Sequence, residues 1–397
     1  MELRVALLAP LVTPIREPQS SGVTTLLTDL ARGLQGAGVD VHVFGASGSE
    51  VDGLTFVDTG VDPAELAESL LRPLGGPPPP SEEARLSELV RRAFESAYTA
   101  IAAGGYDLVH NHAFDPPAIE LARGLDPPVI HTLHAPPDPR ISEVLSAAAA
   151  DTRPPFVAAV SESQRLAWAA LNRIDGLLRP GVPTARIPWS ERSGDGLLFA
   201  GRLSPEKGVL DAIDIARGSG RELVIAGGRY DTDYADVVEG VAESAPGVTL
   251  AGPLPRTELW DLMARSAALI FPIRWEEPFG MVSAEAQAAG CPVIGFRRGA
   301  LTEVIEEGVT GASVDPGDVD GARRAVSQLA RFDRAACRRH AEQRLDVAPM
   351  IEAHLALYER VVQAWPSTAG KGQSPSLRSG PSSSHWGRFR NKPPQPR

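Results

Sequence analysis

Three features of the sequence predict an α/β protein made of two parallel-sheet halves. Short apolar runs alternate with helical patterns along most of the chain, the rhythm of parallel strands joined by crossover helices. A segment rich in Pro, Gly and Ser, residues 180–196, divides the chain near its middle, with Trp189 as its only large aromatic. The 397 residues, 43% of them hydrophobic, suffice for two separate cores. Two Rossmann-like domains are expected over 1–182 and 183–347, followed by a helix over 348–365 and a tail over 366–397.

The first strand is expected over 3–9, too short with its flanks for a signal-peptide core. Ser21 and Gly22 then lead into a helix whose apolar residues over 26–34 lie on one face, with Gly22 at its head. Further strands of the first half are expected over 39–44, 107–110, 129–133 and 156–160. The run 73–80, with five prolines, excludes helix interior and reads as an exposed loop. Residues 82–103 have the period of an amphipathic helix carrying Arg85, Arg91 and Arg92, a solvated face or a surface for an anionic or lipid-linked group. In the second half, strands are expected over 197–200, 222–226, 248–251, 268–271, 292–295 and 312–314. Ligands on such sheets bind at the carboxyl ends of strands, so chemistry is expected in the loops after these runs.

Charge and cysteine usage exclude several classes. A formal charge of -11 argues against nucleic acid as a partner, since phosphate neutralisation calls for a basic face. Cys291 and Cys337 lack metal-ligand spacing and imply a reducing compartment without a disulfide framework, Cys291 reading as a small core residue. No run approaches the ~20 apolar residues that span a bilayer, so a cytoplasmic protein with at most peripheral membrane contact is expected. The tail over 366–397 has no Asp or Glu and six cations, leaving the preceding 365 residues at -17 beside the whole-chain -11. Its composition is that of a disordered segment with no catalytic part.

The most informative block is W-E-E-P-F-G-M-V-S-A-E, residues 275–285. Glu277 is expected in a loop before a helix and Glu285 about two turns into it, with Phe279 between them and the N–H groups of Gly280, Met281 and Val282 at the helix start. Free N–H groups at a helix start bind anionic or sugar oxygens, and carboxylates hold hydroxyls. Taken alone, the spacing also suits an exposed glutamate pair opening an amphipathic helix.

In context the block resembles the signature of the retaining, nucleotide-sugar-dependent glycosyltransferases of family 4, which have the GT-B fold. The likeness is nearly continuous over 197–316, including Gly299 to Ile305 and Gly308 to Gly311, and scattered before it. The resemblance implies an NDP-sugar donor held mainly on the second domain, an unidentified acceptor on the first, and a closing helix that crosses back onto the first domain. Glu285 would then hold the ribose, Glu277 the sugar hydroxyls, and Arg202 and Lys207 the diphosphate, whose charge grows as the glycosidic bond breaks. Lys207 is the only lysine before the tail, although the chain has 39 Lys plus Arg. No metal and no cofactor beyond the NDP-sugar co-substrate is implied. A non-catalytic sugar-nucleotide-binding protein and a GT-B epimerase are the alternative readings.

Two departures from the family pattern stand out. Pro180-Gly181-Val182-Pro183 replaces the usual Asn-Gly-Val-Asp near the hinge, and Ser21-Gly22 replaces a paired glycine. Histidines cluster at His110-Asn111-His112 and His131-Thr132-Leu133-His134, both expected in the cleft. His112 matches the family's histidine near the reacting sugar, and His134 resembles a second one at the base of the cleft. A zinc site is the rival reading, but no third ligand stands at useful spacing. Asp231-Thr232-Asp233 is expected to be a loop and helix cap rather than a metal motif.

Overall fold

The computed structural model describes residues 3–11, 13–19, 21–62 and 80–365; of the proline run over 73–80 only Pro80 is among them, as the first residue of a helix rather than loop, and the basic tail over 366–397 lies outside them. The first half contains β1 (Arg4–Leu8), α1 (Gly22–Gly36), β2 (Asp40–Gly45), β3 (Thr55–Asp58), α2 (Pro80–Ala103), β4 (Leu108–Asn111) and α3 (Pro116–Glu120). It continues through β5 (Val129–Thr132), α4 (Pro139–Ala149), β6 (Phe156–Ala159), α5 (Glu162–Ala169) and β7 (Gly176–Leu177). All pairs are parallel, in the order β3-β2-β1-β4-β5-β6-β7. Central β1 places Val5 opposite Val41 on one side and Leu108 on the other. It is buried on both faces, which explains its uninterrupted apolar run.

The second half begins with β8 (Leu197–Ala200), α6 (Val209–Gly218), β9 (Leu223–Ala226), α7 (Thr232–Glu243), β10 (Val248–Gly252) and α8 (Arg256–Arg265). It is completed by β11 (Ala268–Phe271), α9 (Met281–Ala288), β12 (Val293–Phe296), α10 (Leu301–Val304), β13 (Gly311–Val314), α11 (Val319–Ser327) and α12 (Arg334–Arg344). This sheet is also parallel, in the order β10-β9-β8-β11-β12-β13. The closing helix α13 (Val347–Ala364) starts on Asp346, whose carboxylate accepts from Ala348 N. Its Met350, Leu357 and Tyr358 pack in one core with Leu27, Leu30 and Leu34 of α1, so the last helix belongs to the first sheet's core.

Two strands were absent from the sequence expectation. β3 is a four-residue edge strand between Gly53 and Gly60, and β7 is a two-residue edge strand containing Gly176. Both are defined by pairing with β2 and β6, not by an apolar run of their own.

Candidate functional site

Strand order reverses between β1 and β4 in the first sheet and between β8 and β11 in the second. Loops leaving the carboxyl ends of such strands diverge and open a crevice. Residues from all four loops line a single cleft with a volume of about 300 Å³. Gly22, His134, Arg202, Lys207, Glu277, Phe279, Gly280, Met281, Val282 and Glu285 all line it; His112 does not.

On the second half, the turn after β8 carries both cations. The Arg202 guanidinium lies 4.0 Å from the Tyr230 ring centroid, and Nη2 donates to Glu206 Oε1 at 3.1 Å. Buried Glu206 also accepts from Ser204 Oγ at 2.6 Å, which fixes it beneath the arginine. Lys207 ends a 3-10 turn, Pro205–Lys207, and its Nζ donates to Glu277 Oε2 at 2.6 Å. The same oxygen accepts from the Trp275 indole at 2.6 Å. Each cation therefore stands against a carboxylate at the cleft wall.

Gly280 has φ +89°, and a Cβ there would stand 2.9 Å from Ser283 Oγ. This left-handed residue turns the Glu277 loop into α9, which begins only at Met281. Glu285 consequently lies one turn into the helix, not the two suggested by spacing. The N–H groups of Gly280, Met281 and Val282 donate to no protein acceptor among the described residues. Across the cleft, Ser21 caps α1 by accepting from Thr24 N, and a Cβ on Gly22 would meet Met281 Cγ at 3.3 Å. Two helix N-termini, with their positive dipole ends, thus converge on the cleft.

Glu285 is 3% exposed and does not stand alone. Arg256, the first residue of α8, donates from Nε to Glu285 Oε1 at 2.6 Å. Its Nη1 and Nη2 donate to Asp29 Oδ1 and Oδ2 at 3.0 and 2.6 Å. Asp29 belongs to α1, so a buried Glu-Arg-Asp chain joins the halves. Burial pushes the Glu285 carboxyl above its usual range while Arg256 pulls it back. Burial also opposes the Arg256 charge, but Glu285 and Asp29 more than offset this and hold its pKa above that of a free arginine. Nearby, Glu17 Oε2 accepts from Arg256 N at 3.2 Å. A second crossing is made by Glu303, whose carboxylate accepts from Glu162 N at 2.9 Å and Ser163 N at 2.7 Å, capping α5 from the other half.

The histidines are placed differently from the expectation that both clusters face the cleft. His110 and His131 lie inside β4 and β5, with the His110 ring bonded to Tyr358 Oη at 2.6 Å and Thr132 Oγ1 at 2.7 Å. His134 lines the cleft, and His112 is buried behind it, the two joined Nδ1 to Nε2 at 2.9 Å. His112 Nε2 is buried without a partner among the described residues. Burial drives His112 well below the usual histidine range and His134 down to about 3, so this pair is neutral and shares one proton along its contact. A tertiary contact covers the first cluster: the closing helix brings Tyr358 and His354 against His110 of β4.

Asp231 caps α7 by accepting from Tyr234 N at 3.0 Å. Cys291 and Cys337 are free and buried. Among the described residues no three His, Cys, Asp or Glu side chains are placed to share a metal ion, and no helix is long and apolar enough to cross a membrane.

Sequence reasoning missed Arg256, which lines the cleft, and the roles of the crossing carboxylates Asp29 and Glu303. A weak signal existed for two of them. Arg256 puts a cation at a helix N-terminus, against the dipole, and Asp29 puts a charge among Leu26, Leu27 and Leu30.

Comparison with known proteins agrees with this architecture. Residues 20–186 match the family model described as Glycosyltransferase Family 4, and residues 192–344 match Glycosyl transferases group 1. The glycogen synthase of Mycobacterium tuberculosis is 34% identical over 60% of this chain, which spans 64% of that protein's length. The D-inositol 3-phosphate glycosyltransferase of Mycolicibacterium smegmatis is 28% identical, over 95% of this chain and 97% of its own. Anabaena Alr3699/HepE, solved in complex with UDP-glucose, superposes with a TM-score of 0.67 at 18% identity, covering 90% of this chain and 100% of its own. Two facing parallel sheets, a closing helix returned to the first, and family matches to both halves establish that the chain belongs to the family 4 glycosyltransferases of GT-B fold.

Proposed function

We propose that the protein is a glycosyltransferase that moves a sugar from an NDP-sugar to an acceptor held on the first domain. The observation that carries this is the convergence of Arg202, Lys207, Glu277, Glu285 and the open N-terminus of α9 on one wall of the cleft. Glu285 takes the ribose hydroxyls and Glu277 the sugar hydroxyls. Arg202 and Lys207 take the diphosphate, with the N–H groups of Gly280, Met281 and Val282 as further donors. Lys207 has three N–H bonds and spends one on Glu277, so it can hold a phosphate oxygen without releasing the carboxylate.

As the bond from the sugar anomeric carbon to the β-phosphate breaks, its electron pair goes to the phosphate oxygen. Fixed cations stabilise that growing charge more than the ground state. The acceptor hydroxyl bonds the same carbon on the same face and gives its proton to the departing phosphate, which retains the anomeric configuration. His134, which lines the cleft, is assigned the contact to the sugar, and His112, buried behind it, holds its ring through the Nδ1 to Nε2 bond. The names of the relatives, a glycogen synthase and an inositol-phosphate glycosyltransferase, support a hexosyl donor and leave a glycan or a small polyol phosphate as the acceptor classes to screen first.

The test is thermal unfolding against UDP-, GDP- and ADP-sugars, followed by NDP release and the anomeric form of the product. A donor at ~100 times its dissociation constant should add about 2.7 kcal/mol of stability. Glu285→Ala and Lys207→Ala should lose that gain. Variants that turn over donor and acceptor at the wild-type rate would refute the site. Binding without NDP release under any acceptor would point instead to a sugar-nucleotide-binding protein.

A further inference from the structure

The buried chain from Glu285 through Arg256 to Asp29 is not needed to bind a diphosphate, since Arg202 and Lys207 stand elsewhere on the wall. All three Arg256 nitrogens already donate to a carboxylate, so its fork is engaged by the protein. One guanidinium between two carboxylates leaves a net negative charge in a nearly closed space. Such a place repels phosphate and favours neutral groups that donate hydrogen bonds. Glu285 Oε1 is taken by Arg256, whereas Oε2 meets no donor at full hydrogen-bond geometry among the described residues, the buried Trp260 indole standing near the carboxylate, and Glu285 lines the cleft.

We propose that Asp29 and Arg256 are positioning residues for the donor's ribose. Asp29 holds the Arg256 fork, Arg256 holds Oε1 of Glu285, and Oε2 is thereby aimed at the ribose hydroxyls. This rests on the reading of Glu285 as the ribose ligand. Asp29 comes from the first half and the other two from the second, so the arrangement is complete only when the halves are together. Glu17, also from the first half, accepts from the backbone N–H of the same arginine and ties the start of α8 to the loop before α1. Ribose recognition and closure are therefore coupled, and by reciprocity a ligand that engages Glu285 favours the closed form. A glutamate positioned by its own half alone would bind ribose equally well with the cleft open.

The experiment compares two ligands by calorimetry: the nucleoside diphosphate that stabilises the protein best, and its 2′,3′-dideoxy analogue. The wild type should prefer the ribose-bearing ligand by about tenfold or more, the usual worth of a hydrogen bond to a charged group. Asp29→Asn keeps the shape but drops the charge, and should bring that ratio below about threefold, with Asp29→Glu retaining more of it. Should Asp29→Asn fail to fold, Arg256→Lys, which keeps the charge but not the fork, is read in the same way. A variant that weakens both ligands by one factor and keeps the ratio has lost only structure, and overturns the positioning role while leaving Glu285 as the ribose ligand. A wild type with no preference between the two ligands removes the reading of Glu285 and this inference together.

Discussion

Arg202 with Glu206 and Lys207 with Glu277 show how a site stores cations without a ligand: each stands against a carboxylate, and each carboxylate is fixed by a further donor, Ser204 for Glu206 and Trp275 for Glu277. The histidines solve the same problem by staying neutral. Burial holds His131 and His134 down to about 3 and His354 to about 4, against an unfolded value near 6.5. Because the unfolded chain binds more protons than the native one between these values, stability should fall as pH drops from 6.5 towards 3. Asp115, pushed up to about 7 by burial, and Glu285, also raised by burial, act the other way over part of that window, but they are two groups against five buried, lowered histidines, His110, His112, His131, His134 and His354. Urea unfolding between pH 7.5 and 5 should therefore show a steep loss. In His131→Gln the slope should be shallower by up to about 1.4 kcal/mol per pH unit. An unchanged slope would mean that His131 is protonated in the native state.

At the scale of elements, the site depends on where short helices begin. α9 starts after a left-handed glycine, and that one residue aims three N–H groups into the cleft and puts Glu285 on its inner face. Gly280→Ala should cost about 1–2 kcal/mol from the left-handed backbone alone. Its added Cβ also meets Ser283 Oγ, which now donates to Gly280 O at 2.6 Å. The expected result is a lowered thermal midpoint together with a loss of NDP-sugar stabilisation larger than that of a surface Gly→Ala control. A full donor response in Gly280→Ala would show that the helix start is not part of the site.

Over the whole molecule, the two sheets are joined by a few specific crossings. The closing helix shares a core with α1, Asp346 bonds Thr184 beside the hinge, and Glu303 caps α5 from the opposite half. A carboxylate on two free N–H groups also complements the helix dipole. Glu303→Gln keeps one acceptor and loses the charge, so it should cost about 1 kcal/mol in urea unfolding, with less effect in high salt. A neutral result would mean that the crossing is made by packing around it.

The sequence by itself determined the two sheets and most of the cleft. Central parallel strands are buried on both faces and are therefore largely apolar, and Arg202, Lys207, Glu277 and Gly280 sit in the loops after β8 and β11. Local pattern therefore reports both. The edge strands β3 and β7 stayed hidden because their only definition is a partner strand. Tertiary structure alone decided that His112 is shielded by His134, that Arg256 unites Glu285 with Asp29, and that Glu303 serves the other half. Those contacts join residues 22, 29, 227 and 141 positions apart, and no periodicity carries that information. Burying a charge demands a partner, but which residue supplies it depends on how the halves meet.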